Sequence, residues 1–142
     1  MVLNLYIFLQ FLFVFPHGCG QDVSQKKADE IIGYYLAYEP KTGDKLQMEI
    51  YKTPKGKYEI KIVWVEKLEM RDNIGSVQFR NLTYDPKNHE WINGKVTYDG
   101  SKYSTKISFS EPGKLKVRGY LGISLLGKTV YWIKEKELRQ LP

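Results

Sequence analysis

The chain is poor in the residues that carry covalent and metal chemistry: its 142 residues hold one cysteine, Cys19, and two histidines, His17 and His89. A single cysteine excludes a disulfide framework within the chain, and beyond residue 20 there is no thiol and one histidine, His89, which excludes a Cys/His nucleophile pair and the usual zinc spacings from that part. No apolar run reaches the roughly 20 residues that a membrane-spanning helix needs. From Ile31 onward no window sustains the i, i+3, i+4 spacing of an amphipathic helix. Acidic charge is also scarce, with 16 Asp and Glu against 22 Lys and Arg, for a net charge of +6. The length suffices for one domain. Charged residues at 27%, set among regularly spaced apolar ones, exclude a disordered chain.

The first 20 residues contain no charge and 14 hydrophobic residues, and the composition breaks at Asp22. The run Val2 to Phe15 fits the apolar region of a secretory signal, and Gly18-Cys19-Gly20 sets small residues at the two positions that signal peptidase reads. Residues 1–20 are therefore read as a signal peptide, with cleavage before Gln21 and an exported product, periplasmic or secreted. Attachment of lipid at Cys19 is the less favoured reading, because Pro16 and His17 stand where a lipoprotein signal has an aliphatic and a small residue. Residues 21–30 read as an N-terminal linker and 136–142 as a C-terminal tail, with short helical turns expected in Ser24–Glu30 and Lys134–Arg139.

Between them, residues 31–135 alternate apolar and polar side chains at period two. Eight strands are expected: Ile31–Glu39, Leu46–Thr53, Lys57–Val65, Gly75–Tyr84, His89–Tyr98, Lys102–Phe109, Lys114–Leu121 and Lys128–Glu135. The intervening segments carry turn chemistry, such as Pro54-Lys55-Gly56 and Asp99-Gly100, and only Glu66–Ile74 is undecided. Eight short strands joined by tight turns imply an all-β, antiparallel, up-and-down barrel, since closure removes exposed edges. Tyr58, Ile60, Ile62 and Trp64 are assigned to one dry face, as are Leu115, Val117, Gly119 and Leu121. Apolar parity switches between Val77/Phe79 and Leu82/Tyr84, which predicts a bulge near Arg80-Asn81.

The segment Leu115-Lys116-Val117-Arg118-Gly119-Tyr120-Leu121-Gly122, continuing to Thr129 and followed by Trp132, resembles the bacterial domain-of-unknown-function family DUF 2147. Ile32-Gly33, Glu49-Ile50-Tyr51 and Gly94-Lys95-Val96-Thr97-Tyr98-Asp99 are similar to it as well. The resemblance implies an exported, lipocalin-like (calycin-like) β-domain without an assigned activity. Two departures stand out. Tyr35 occupies a position where the family usually has Trp, and Glu66–Ile74 lacks the cysteine pair of many members.

Gly122-Ile123-Ser124-Leu125-Leu126-Gly127-Lys128-Thr129 matches the phosphate-binding P-loop pattern letter for letter, but a P-loop needs a helix after it. Val130-Tyr131-Trp132-Ile133 is strand-like, so a hairpin is expected and no nucleotide. His89 falls in the turn Pro86–Glu90, where a solvated side chain is the ordinary outcome, and no Gly-x-Ser-x-Gly elbow exists. No enzymatic activity, cofactor or metal is expected. Beyond residue 20 the chain holds 15 aromatic residues. A barrel of this size either fills its interior or leaves space for one small ligand, and Tyr35, Trp64, Tyr98, Tyr103 and Tyr131 are the candidate interior residues. Lys114, Lys116, Arg118 and Lys128 form a candidate basic face.

The leading reading is an exported, non-enzymatic barrel that binds a small apolar ligand. The alternative is an interaction or structural module of the envelope whose basic face meets an anionic partner; nucleic acid is not expected. Intact-mass measurement of the exported protein is expected to give a chain beginning at Gln21, and a diacylated Cys19 would reverse that assignment.

Overall fold

The computed structural model describes residues 19–120 and 127–141. A helix, α1 (Cys19–Asp29), precedes eight strands: β1 (Gly33–Tyr38), β2 (Lys45–Lys52), β3 (Tyr58–Val65), β4 (Val77–Asp85), β5 (Glu90–Tyr98), β6 (Ser101–Glu111), β7 (Lys114–Tyr120) and β8 (Gly127–Glu135). Each strand pairs antiparallel with the next, and β8 returns to β1, so the sheet closes into an up-and-down barrel. The strands lie within two residues of the bounds read from periodicity. The undecided stretch forms a 3-10 helix, Leu68–Asn73, which with Ile74 turns Met70 onto the core at one end of the barrel, here the mouth.

The other end, the floor, is closed by α1. Residues 21–30, read as a linker, are helical up to Asp29 rather than forming a short turn. Lys26 and Lys27 in the last turn favour the helix C-terminus electrostatically. Ala28 and Ile31 are buried against the barrel. The carbonyls freed at the helix end are met by aromatic donors from the strands: Trp91 Nε1–H donates to Ala28 O at 3.0 Å and Tyr35 Oη–H to Ile31 O at 2.8 Å. Gly33, at φ +147°, turns the chain from the helix into β1, a conformation that L side chains rarely adopt.

Irregularities in the ladder set which residues face inward. The expected bulge near Arg80-Asn81 is present: Tyr58 pairs with Leu82 but Ile60 with Phe79, and Asn81 has φ +66°. Its neighbour on β5, Asn93, also has positive φ and accepts a hydrogen bond from Asn81 Nδ2–H at its carbonyl. Beside them Gly94 leaves the space that Leu82 fills, since a Cβ there would stand 2.6 Å from Leu82 Cδ2.

A second bulge, at Val63, was not expected. Met48 pairs with Ile62 but Gln47 with Trp64. Met48 and Ile62 belong to the core, so Gln47 and Trp64 lie on the barrel exterior, and Trp64 does not share a face with Ile62. Both are nonetheless buried, because residues 136–141 cross the outside of β1–β3 as an extended strap. Gln47 Nε2–H donates to Glu137 O and Glu135 Oε1, Gln47 Oε1 accepts the Arg139 amide at 2.9 Å, and Trp64 Nε1–H donates to Gln140 O at 2.8 Å. The Arg139 guanidinium lies 5.0 Å from the Trp64 ring and pairs with Glu135. The helical turn expected in Lys134–Arg139 therefore does not form: Lys134 and Glu135 belong to β8, and the strap's backbone groups bond to side chains of the sheet instead.

Gln47→Ala leaves the Glu137 carbonyl and the Arg139 amide without these partners and is expected to cost about 1–3 kcal/mol, read as a lower urea midpoint at unchanged m-value.

Candidate functional site

Partners across an antiparallel ladder share a face, so register against the core assigns the inward positions. On the floor side these are Tyr35, Ile50, Ile60, Leu82, Trp91, Ile107 and Leu115, all fully buried. Phe79 meets Trp132 edge-on with ring centroids 5.6 Å apart, and Phe109 packs likewise on Trp91. The lower half is thus a solid core.

The upper half is asymmetric. On β1–β3 the inward residues stay buried up to the mouth: Ala37, Leu46, Met48, Ile62 and Val65. On β5–β8 coverage falls away, with Val96, Tyr103 and Gly119 only partly buried. Val130 pairs with core residue Val117, yet Val130 is 41% exposed and Val117 3%. No described atom lies within 4 Å of the position a Gly119 Cβ would take. Among the described residues, coverage of the interior is thinnest on the β5–β8 side of the mouth, beside Val96, Tyr103 and Val130, with Phe79 and Trp132 beneath.

A polar clasp spans the mouth. Tyr98 Oη–H at the end of β5 donates to Glu39 Oε1, just past β1 on the opposite wall, at 2.9 Å. Lys41 pairs with Asp99 at 2.9 Å and lies 5.7 Å from the Tyr98 ring. Burial works against ionisation of Glu39, but the Thr42 amide, the Tyr98 hydroxyl and the Lys41 amide together hold its carboxyl below the usual range. Elsewhere the hydrogen bond from Tyr58 lowers Asp29, and the hydrogen bonds from Arg139 lower Glu135.

Of the expected interior aromatics, Tyr35 lies in the core, where burial pushes its hydroxyl up, while Tyr103 faces inward near the mouth and Tyr98 forms the clasp. Trp64 is outside under the strap, as described. Tyr131 is also outside: it pairs with Lys116 and is 48% exposed, because Val130 and Trp132 take the inward phase of β8. The basic group divides too. Lys114, Lys116 and Arg118 point outward, whereas Lys128 pairs with Gly119 on the inward register at the mouth. The cation over the Tyr35 ring is Lys134, at 6.0 Å. In the P-loop-like stretch, Gly122–Leu126 lies outside the described residues. Gly127, Lys128 and Thr129 are strand, Thr129 Oγ1 accepts from Arg118 Nη1, and a Cβ on Gly127 would strike the Gly119 carbonyl, which gives that glycine a packing reason.

His89 is half-buried rather than freely solvated. Its Nδ1 is hydrogen-bonded to Tyr84 Oη at 2.7 Å, its Nε2 stands 3.5 Å from Glu30, and its ring packs on Trp91 and Phe109. A cleft of about 420 Å³ lies beside this cluster, between α1 and the β3–β4 wall. Four of its polar side chains are already engaged: Gln25 and Tyr58 with Asp29, Tyr84 with His89, and Thr83 with Lys57. Among the described residues no group of three or more His, Cys, Asp or Glu could hold a metal ion, and no helix is long and apolar enough to cross a membrane.

A closed eight-stranded up-and-down barrel with a helix across one end is a lipocalin-like barrel. It is similar to the Helicobacter pylori protein HP1028, described as belonging to the lipocalin family, with a TM-score of 0.63 and 18% identity over 75% of this chain and 84% of that one. No curated protein matches the chain. Residues 33–134 match the model of the family described as "Uncharacterized protein conserved in bacteria (DUF2147)", and the chain belongs to that family.

Glu39, Asp29 and Glu135 each have a folded-state pKa below the unfolded one. Their contribution is therefore complete above the ordinary carboxylate range and is lost as pH falls through the lowered values. Urea unfolding is expected to show stability level near neutrality and declining below about pH 4, with a shallower decline in Glu39→Gln.

Proposed function

We propose that this protein is an exported, non-enzymatic barrel that holds one small, largely apolar molecule in the upper part of its interior, against β5–β8. The observation that carries this reading is the uneven filling of the barrel: the floor half is packed, while Val96, Tyr103, Gly119 and Val130 face inward without full cover. Walls of this kind, with a few polar groups at the rim, suit an apolar guest held by burial and oriented by Tyr98, Tyr103 or Lys128. The likeness to a protein described as a lipocalin supports the same reading. Export rests on the apolar leader and the small residues before Gln21.

The non-enzymatic reading rests on the shortage of parts: after Gln21 there is no thiol, and His89 is the sole histidine.

A second reading, a module whose basic face meets an anionic partner, is favoured by one observation: exposed apolar side chains stand beside the β7 lysines on the outer wall.

Binding of a neutral naphthylamine dye, followed by its fluorescence, tests the first reading. Gly119→Leu projects into the open space and is expected to weaken binding at least tenfold while leaving the urea midpoint nearly unchanged. Equal binding by the variant, or no binding by the native protein, would count against an interior site.

A further inference from the structure

The outer wall of β7 and β8 combines two kinds of side chain in register. Lys114 faces Ile133, Lys116 faces Tyr131 and Arg118 faces Thr129 across the ladder. Tyr131 and Ile133 are 48% and 46% exposed, and the Lys114 ammonium lies 5.1 Å from the Tyr131 ring, so charge and apolar surface form one patch. On the β6 side the wall continues with Lys106 and Ser108, opposite Arg118 and Lys116. On the other side lies the strap, whose Leu138 and Leu141 are also exposed. Three of the bordering carboxylates are paired, Glu111 with Lys114, Glu90 with Lys106 and Glu135 with Arg139, and the exposed Glu137 lies in the strap itself. Among the described residues Lys116 has no ion pair, and no Asp or Glu faces outward between the strap and β6 to oppose an approaching anion.

Resting on the second reading above, which it makes specific, we propose that this wall docks on the surface of an anionic lipid bilayer. Charge complementarity calls for an anionic partner, and the apolar side chains decide which. Ile133, Tyr131, Leu138 and Leu141 gain little against a hydrated polyanion, whose contacts are charged and wet. At a bilayer they reach the boundary between headgroups and acyl chains, while the lysines keep their ammonium groups among the lipid phosphates. Tyrosine suits that boundary, with an apolar ring and a wet hydroxyl.

The test is co-sedimentation of the full chain with vesicles of phosphatidylcholine alone and of phosphatidylcholine mixed with phosphatidylglycerol, at low and high salt. Binding is expected only to the mixed vesicles and to weaken with salt. Lys114→Gln with Lys116→Gln is expected to reduce binding by roughly twentyfold, about fivefold for each charge removed. Tyr131→Ser with Ile133→Ser, which leaves the charge intact and changes only exposed positions, is expected to weaken binding at least tenfold. If that second variant binds like the native protein and a soluble acidic polysaccharide competes fully, the partner is a hydrated polyanion and the bilayer proposal is wrong. If neither vesicles nor polysaccharide bind, the anionic-partner reading fails with it. Unchanged urea midpoints establish that both variants are folded.

Discussion

Closure of the sheet depends on one short seam. β1 and β8 pair through only three residue couples, Tyr34 with Glu135, Tyr35 with Lys134 and Leu36 with Ile133, yet without them both strands would present bare edges. The structure reinforces the seam from two sides. Inside, Tyr35 reaches the Ile31 carbonyl at the end of α1, while Lys134 lies over the Tyr35 ring and toward the Glu30 carbonyl. Outside, the strap passes from β8 over β1 and ties to Gln47 on β2 and Trp64 on β3. A buried glutamine on a barrel exterior has a physical reason only in this arrangement, because its amide satisfies backbone groups that a helical tail would have bonded to itself.

Much of this was legible in the sequence. Strand number, strand bounds and closure follow from period-two alternation and turn chemistry, and the parity switch around Arg80-Asn81 located a bulge. The second bulge was hidden because Ile62-Val63-Trp64-Val65 is apolar in both phases, so alternation cannot say where parity changes. The same ambiguity misplaced Tyr131, since Val130-Tyr131-Trp132-Ile133 offers two apolar phases and only pairing with Val117 and Leu115 selects one. The Trp91 bond to Ala28 and the strap's bonds to Gln47 and Trp64 join positions more than 60 residues apart, which no local pattern records. For the candidate site, Tyr103 and the inward Gly119 were readable, but the openness beside them is a consequence of what the opposite wall carries.

That asymmetry connects interior and exterior. The 3-10 helix after β3 packs Met70 on the core at the mouth, and the Glu39–Tyr98 bond ties the end of β1 to β5. Among the described residues, interior coverage is thinnest beside β7 and β8, whose alternate residues make the basic and aromatic outer patch. In a barrel wall one residue thick, successive positions on a strand serve opposite faces. Val130 and Tyr131 are neighbours in sequence, one toward the interior and one on the outer patch, so the wall that carries the patch is also the wall whose inner side is least covered by the described residues.

The strap has a further consequence for the order of assembly. The seam joins residues about a hundred positions apart, the longest loop that this barrel must close, and its closure entropy sets it after the hairpins from β2 to β7. A growing chain cannot complete the cylinder before β8 has been made, and the strap follows β8 directly. Until then β1 and β8 remain free edges on a half-formed sheet. Lys128, Lys134 and Lys136 lie on or next to the last of these edges, where charge opposes pairing with another copy. The residues that bolt the finished barrel thus follow its last strand, and the cylinder stays open to its surroundings until they are in place.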